Sequence, residues 1–315
     1  MPEDKPKKSE IDRLKELVRK SGFPLQIEIA SRLYSARTKR NLKEMEVSTG
    51  MYYLDKDENK GRELDITARI PIQYNRILEG KSLGLTGIDL SLLIQCKRMP
   101  GNAWVFFKTS QEIFSAPLCT SVLDTLDWTP RSHWEFAFLL GLHYEGVIKT
   151  TLYDEYVLDE SRSNKKVENL FEAVITLAKA VSYRLDTTTE SLRSTLVRFA
   201  NVPDYAVSCV NLCYPVVVFD GKMYLAEETG LYGEMNPVPI DHVCLFFDFV
   251  SGNYRPIQFY VDIVQREAFD RFFDKVANDV EILKKALEGS AGIKFRKEVA
   301  KALSSHRMKE AGILK

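Results

Sequence analysis

Long apolar runs are missing from this chain. No stretch approaches the roughly 20 consecutive apolar residues of a membrane-spanning helix, so no membrane partner is expected. The first residues are charged and carry no apolar segment, so no secretory leader is expected and the location expected is cytoplasmic. Cysteine is sparse: Cys96, Cys119, Cys209, Cys213 and Cys244, an odd number at scattered spacing, do not make a disulfide framework. Cys209 and Cys213 are four apart, but no second pair or nearby His completes a zinc site, so reduced, buried thiols are expected. Net charge is also missing, with 44 Lys and Arg balancing 44 Asp and Glu, which excludes nucleic-acid binding through bulk positive charge. There is no internal repeat, no Gly-rich phosphate loop of the Walker or dinucleotide type, and no convincing Ser-His-Asp or Cys-His set. A small-molecule enzyme therefore finds little support.

What is present is ordinary globular composition, 45% hydrophobic and 28% charged, in 315 residues that suffice for one large core or two modest domains. The balanced charge is unevenly spread. Residues 1–43 hold twelve Lys and Arg against six Asp and Glu, and residues 284–315 hold nine against three, so the middle is acidic. Basic ends around an acidic centre suit a protein that grips phosphates at its rim and holds metal in the middle. Two solvated terminal helices produce the same distribution.

In chain order, Ser9 with Asp12 three residues on forms a capping pattern for a first helix striped by Ile11, Leu14, Leu17 and Val18. Pro24 suits the first turn of a second helix that runs to about residue 39. At about 100° per residue, Leu25, Ile29, Leu33 and Ala36 share one apolar arc, and Gln26 falls inside it. A polar Gln on a buried face needs a partner. Glu28 falls on the opposite side and reads as a solvated acid. Residues 46–54 and 62–70 read as a hairpin around the polar turn at 55–61, and residues 88–97 as a central strand. Pro100-Gly101-Asn102 reads as a turn before a short strand at Trp104. Residues 98–161 are rich in aromatics, among them Phe114, Trp128, Trp134, Phe136 and Phe138; His133 and His143 there are metal ligands or ordinary histidines. A helix is predicted over about 164–184. Pro215 starts a strand, Asp220-Gly221 reads as its hairpin turn, and Lys222 to Glu227 as the return strand. Strands at 243–250 and 257–264 precede helices at about 266–288 and 292–310.

The chemistry concentrates in residues 61–97. In a strand, residues two apart share a face, so Glu63 and Asp65 point one way and Gln95 and Lys97 point one way on a second strand. Pairing those strands brings an acid, an amide oxygen and an ammonium to one sheet edge. Hard oxygen ligands with a cation beside them suit a Mg²⁺ and phosphate site.

This order of helix, hairpin, strand, helix and strand, with Asp65 on one strand and Gln95-x-Lys97 on the next, resembles the PD-(D/E)xK nuclease superfamily. The branch it resembles is that of Mrr-type enzymes, whose last motif is Gln-x-Lys. The resemblance covers roughly residues 24–220. It implies an α/β fold, a mixed β-sheet flanked by helices: a restriction endonuclease-like core at 24–265 with an aromatic-rich insertion at 98–161, a helical arm at 1–23, and a C-terminal extension of basic helices at 266–315. It implies Mg²⁺-dependent (or Mn²⁺-dependent) phosphodiester hydrolysis of DNA, in restriction and defence or in repair. Asp65 matches the metal-binding Asp, and Gln95 the Glu-or-Gln that offers an oxygen. The backbone carbonyl of Cys96 matches a further ligand, and Lys97 the Lys that acts on the attacking water. Gln26 takes the place of the helix Glu, with Glu63 able to restore a second charge. Lys39, Arg40, Lys43 and the 294–301 cluster are the expected phosphate contacts, and a homodimer suits double-strand cutting by one site per chain. Gln at both 26 and 95 is the departure from the pattern. It keeps open a catalytically weak or inactive module that binds nucleic acid or a protein partner.

Overall fold

The apolar stripes of this chain close on two sides of one sheet. The computed structural model describes residues 9–73, 77–78, 81–82, 86–108, 119–122, 147–158, 169–198, 207–228 and 234–289. Helices α1 (Glu10–Lys20) and α2 (Phe23–Lys39) lead into the hairpin β1 (Glu46–Asp55) and β2 (Lys60–Gln73). Two short strands, β3 (Ile77–Leu78) and β4 (Lys81–Ser82), pair with each other. Then come β5 (Thr86–Phe107), β6 (Cys119–Val122), β7 (Lys149–Thr150), β8 (Leu152–Val157) and helix α3 (Asn169–Arg198). Strands β9 (Val207–Glu228), β10 (Met235–Pro239), β11 (His242–Ser251) and β12 (Tyr254–Gln265) precede a single 3₁₀ turn and helix α4 (Phe269–Glu288).

Among the described residues, ten strands form one mixed sheet in the order β1-β2-β5-β9-β12-β11-β7, with β8 beside β5 and both β6 and β10 beside β9. The chain is thus α/β, a large mixed sheet flanked by helices. One face carries α2 and α4: Leu25, Ile29 and Leu33 meet Ile66, Ile94, Val218, Phe273 and Val280. The other carries α3, whose Leu170, Ala173, Val174, Leu177, Ala178 and Val181 are all buried, as their period requires. Each such fully buried large side chain contributes about 1.5–3 kcal/mol, so the two helix layers hold the sheet between them. The capping pattern at Ser9 is realised, with the Asp12 amide donating to Ser9 Oγ at 3.1 Å. No helix among the described residues is long and apolar enough to cross a membrane. Cys96, Cys213 and Cys244 are buried free thiols.

Two sequence-predicted turns are instead positions inside strands 22 residues long. Gly101 adopts φ +94 at an irregularity in β5, where the register to β9 jumps between Arg98 and Ala103 while the strand keeps its direction. Asp220-Gly221 also runs straight on: β9 continues to Glu228, and its antiparallel return is β10, starting at Met235. The reason lies in neighbours that local turn chemistry does not reveal. Along one edge β9 meets β6 at 210–213, β12 at 216–219 and β10 at 224–228, while β5 lines the other edge. Pro215, which lacks an N–H, and Asp220-Gly221 fall in the two breaks between those neighbours. Gly221 is needed for space, since a Cβ there would lie 2.3 Å from the ring of Phe219. That ring is stacked on Trp104 at 3.6 Å.

The aromatic residues Phe114, Trp128, Trp134, Phe136 and Phe138, with His133 and His143, lie outside the described residues, as do the helix expected at 292–310 and the basic cluster at 294–301.

Candidate active site

Strand β5 changes partner along its outer edge. Residues 87–94 pair antiparallel with β2, ending at Ile66↔Ile94, and residues 102–107 pair with β8. Between them, Gln95 to Pro100 carry no ladder partner on that edge among the described residues. Asp65 stands at the mouth of this gap, one residue beyond the last β2 pair.

The strand turns over at Asp65. Ile66 packs in the α2 and α4 layer, but Leu64 packs in the α3 layer. An unbroken strand would put those two residues on one face and aim Asp65 at the other. Opposite Asp65 in the β1 register is Gly50, at φ +69, which only glycine adopts without strain. The irregularity frees the Asp65 carboxylate to lie in the gap. Its Oδ2 accepts the backbone N–H of Cys96 at 2.6 Å, and its Oδ1 accepts a short hydrogen bond from Gln26 Nε2 on α2. Gln26 is thus the inward polar residue of its helix, and Asp65 is its partner. The N–H and C=O of a strand residue point along the same edge, so the Cys96 carbonyl also faces the gap.

Asp65 is 8% exposed. Burial pushes its pKa up to about 6, against the Cys96 N–H, the charge of Lys97 and the Gln26 amide, which favour the ionised form; the charge of Glu63 adds to the rise. Ile94 and Cys96 pack on the α2 side of β5 and Leu93 on the α3 side, so alternation sets Gln95 and Lys97 toward α3. The Gln95 Oε1 atom is buried and has no hydrogen-bond partner among the described residues. The field of Lys97 reaches both Asp65 and Glu155, whose carboxylate accepts the first amides of α3. Glu63 is exposed on the rim, with Tyr52 Oη 3.4 Å away. The structure therefore gathers Asp65, Gln26, Gln95, Cys96 and Lys97 at one gap, approached from both sheet faces, with Glu63 at its edge.

The expected phosphate contacts lie elsewhere. Lys39 is 13 residues along α2 from Gln26, about 20 Å at 1.5 Å per residue. Lys39 and Arg40 line a groove of about 390 Å³ between α2 and α4, where Arg40 pairs with Asp274. Lys43 is exposed beyond the end of α2.

Glu28 is not a solvated acid. Helix geometry aims it away from the sheet core, but α4 and the turn before it cover that side. Arg32 contacts Glu28 at 2.6 Å, and Arg266 contacts it at 2.6 Å and reaches Asp220 at 3.6 Å. Asp220 in turn takes Arg98 Nε at 3.0 Å. Burial alone would raise Glu28, but the two guanidiniums outweigh it and hold the carboxyl below its usual range. This chain of ion pairs locks α2, and so Gln26, against β5, β9 and the start of α4.

The sequence reading did not single out a second cluster. His242, Cys244 and Asp262 place one ligand atom each within 4.8 Å of one another, a group that could hold a metal ion. The available signal was a carboxylate inside the apolar run Tyr260-Val-Asp-Ile-Val, opposite a His-x-Cys pair on the preceding strand.

The donor types bordering the gap are those of a hard divalent cation. They are a carboxylate, an amide oxygen without a donor and a backbone carbonyl, all oxygen ligands. Comparison with protein-family models, with curated proteins and with solved structures finds no match.

Proposed function

We propose that this chain is a metal-dependent phosphodiesterase acting on DNA, on a PD-(D/E)xK-type, restriction endonuclease-like core. The observation that carries the reading is one buried carboxylate, Asp65, set in a break of the sheet and within the field of Lys97, with the partnerless Gln95 oxygen on the strand that borders the break. Asp65, Gln95 and the Cys96 carbonyl would hold Mg²⁺ or Mn²⁺, with Glu63 at the rim. Such an ion, when bound, polarises a phosphate and lowers the pKa of a water. Gln26 fixes the orientation of Asp65 through its amide. Lys97 offsets negative charge on the phosphate oxygens as the phosphorus is attacked. Lys39, some 20 Å along α2 from Gln26, with Arg40 and Lys43 would contact backbone phosphates, which positions a duplex without reading its sequence. A homodimer brings two sites to a duplex, as restriction or repair of both strands requires.

A second reading has its own observation. Both carboxylate oxygens of Asp65 already accept hydrogen bonds, and the neighbours at 26 and 95 are neutral amides. A metal site with one buried carboxylate is weak, because ligand charge supplies much of the affinity. That pattern suits a nuclease-like module that binds nucleic acid or a protein without cutting.

The test is cleavage of single-stranded, duplex and branched DNA with Mg²⁺, with Mn²⁺ and with chelator, beside Asp65→Ala and Lys97→Ala. The enzyme reading expects metal-dependent cutting that both variants lose while staying folded. Wild-type cutting by Lys97→Ala removes Lys97 from the site. Salt-sensitive binding without cutting favours the module.

A further inference from the structure

Strands β11 and β12 bring together a soft and hard ligand set. His242 and Cys244 are two apart on β11, so they share a face, and Cys244 stands directly opposite Asp262 on β12. Both meet the same oxygen: His242 Nε2 lies 2.7 Å and Cys244 Sγ 3.2 Å from Asp262 Oδ1. Cys244 and Asp262 are fully buried. The His242 ring is held edge-on against Phe272 of α4, with centroids 5.4 Å apart. Three strand steps separate Asp262 from β2, about 14 Å at the usual spacing, so this cluster is distinct from Asp65.

We propose that His242, Cys244 and Asp262 bind one Zn²⁺, with the fourth position open to the cavity beside His242. Imidazole nitrogen, thiolate and carboxylate oxygen are the zinc donors, and a thiolate disfavours Mg²⁺ and Ca²⁺. Tetrahedral zinc at about 2.0–2.3 Å from each ligand sets the ligand atoms about 3.3–3.5 Å apart. The observed separations of 2.7 and 3.2 Å, all within 4.8 Å, need only sub-ångström to ångström side-chain adjustments.

Charge balance favours the ion. Zn²⁺ enters as the Cys244 thiol gives its proton to solvent, and Zn²⁺ with one thiolate and one carboxylate is neutral. In the absence of the ion, burial and then the facing Asp262 carboxylate hold the Cys244 thiol well above its ordinary range, with the charges of Lys149 and Lys275 acting the other way. The cavity, about 520 Å³, is walled by His242, Asp241, Gln265 and Lys275 among others, a polar route by which water reaches the fourth position.

The experiment uses the full chain purified without chelator, with zinc measured by mass spectrometry and Co²⁺ as a spectroscopic substitute. One zinc per chain is expected, with a thiolate-to-cobalt charge-transfer band in the near ultraviolet. Cys244→Ser should abolish that band and weaken zinc at least about 100-fold, and His242→Asn should weaken zinc comparably. Excess Mg²⁺ should displace nothing. The proposal is overturned if wild type shows no charge-transfer band, or if folded His242→Asn retains zinc at wild-type affinity. That second outcome stands even where Cys244→Ser does not fold.

Discussion

Replacing Asp65 by Asn should stabilise the protein and, under the proposed function, remove cleavage. The carboxyl is 8% exposed, and its pKa is pushed up to about 6 from 3.8. Each pKa unit corresponds to about 1.4 kcal/mol, so ionised Asp65 costs the folded state up to about 3 kcal/mol. The hydrogen bonds from Cys96 and Gln26 and the field of Lys97 are already contained in that figure, because all three lower the same pKa. Asn is the isostere of the neutral acid. Its oxygen accepts the Cys96 N–H, and a flipped Gln26 amide accepts its N–H.

The sign fixes the pH window. A folded pKa above the unfolded one makes the stability contribution complete below about pH 3.8 and lost as pH rises through about 6. Asp65→Asn should therefore match wild type near pH 4 and exceed it by about 1–3 kcal/mol at pH 8. Urea unfolding at both pH values, in chelator, measures the difference. A variant less stable than wild type at pH 8, or an offset that does not change with pH, would falsify the placement of a costly carboxylate here. Adding Mg²⁺ should narrow the gap at pH 8 by stabilising wild type alone, by about 2.7 kcal/mol at 100 times the dissociation constant.

Cleavage, where it occurs, should rise with pH through about 6 as Asp65 ionises, and a rate profile between pH 5 and 8 that is flat would detach the activity from Asp65. Gln95→Glu adds a charge at the donor-less oxygen and should tighten divalent-metal binding by about tenfold in calorimetry; unchanged affinity means that residue 95 does not face the ion. Gly221→Ala drives a Cβ to 2.3 Å from the Phe219 ring, which Trp104 holds by stacking, and should cost about 1–3 kcal/mol in urea unfolding. Lys179→Ala removes the nearer cation of Asp55, which is 2% exposed and bound by Lys179 Nζ at 2.9 and 3.0 Å but keeps Arg62 at 3.5 Å, and should cost about 1–3 kcal/mol; no measurable loss refutes a structural role for the pair.

What could be read from the sequence was local. The helix stripes, the first hairpin and the inward Gln26 follow from periodicities of 3.6 and 2, which a chain carries within a few residues. The α/β class follows from their order. The misread positions are those where a distant partner decides. Pro100-Gly101 and Asp220-Gly221 have turn chemistry, yet each falls where a long strand changes neighbours, and that depends on which strands lie alongside. Glu28 does face outward on α2, but Arg266, 238 positions later, closes over it. His242, Cys244 and Asp262 become a cluster only once β11 and β12 are in register. Asp65 was found by spacing, yet its reach into the gap rests on a turnover opposite Gly50 that strict alternation excludes.

Two of the other buried acids among the described residues, Asp55 and Asp89, contrast with Asp65 in meeting a cation. Asp55 meets Lys179 and is held below its ordinary pKa; Asp89 meets Arg69 in a bidentate pair at 3.1 and 3.0 Å. Among the described residues Asp65 hydrogen-bonds only two neutral N–H groups, and its pKa goes the other way. Removing the Asp65 carboxylate would relieve the fold, whereas removing Asp55 or Asp89 would break a buried ion pair. Destabilising groups of this kind concentrate at functional sites, where the strain is part of what the site does. A pure binding surface draws its affinity from exposed cations and has no use for a half-protonated acid in a sheet break. The two readings therefore separate on Asp65→Asn: gained stability with lost cleavage and a lost Mg²⁺ response belongs to an enzyme, whereas gained stability with unchanged DNA binding and no metal response in either protein belongs to the module.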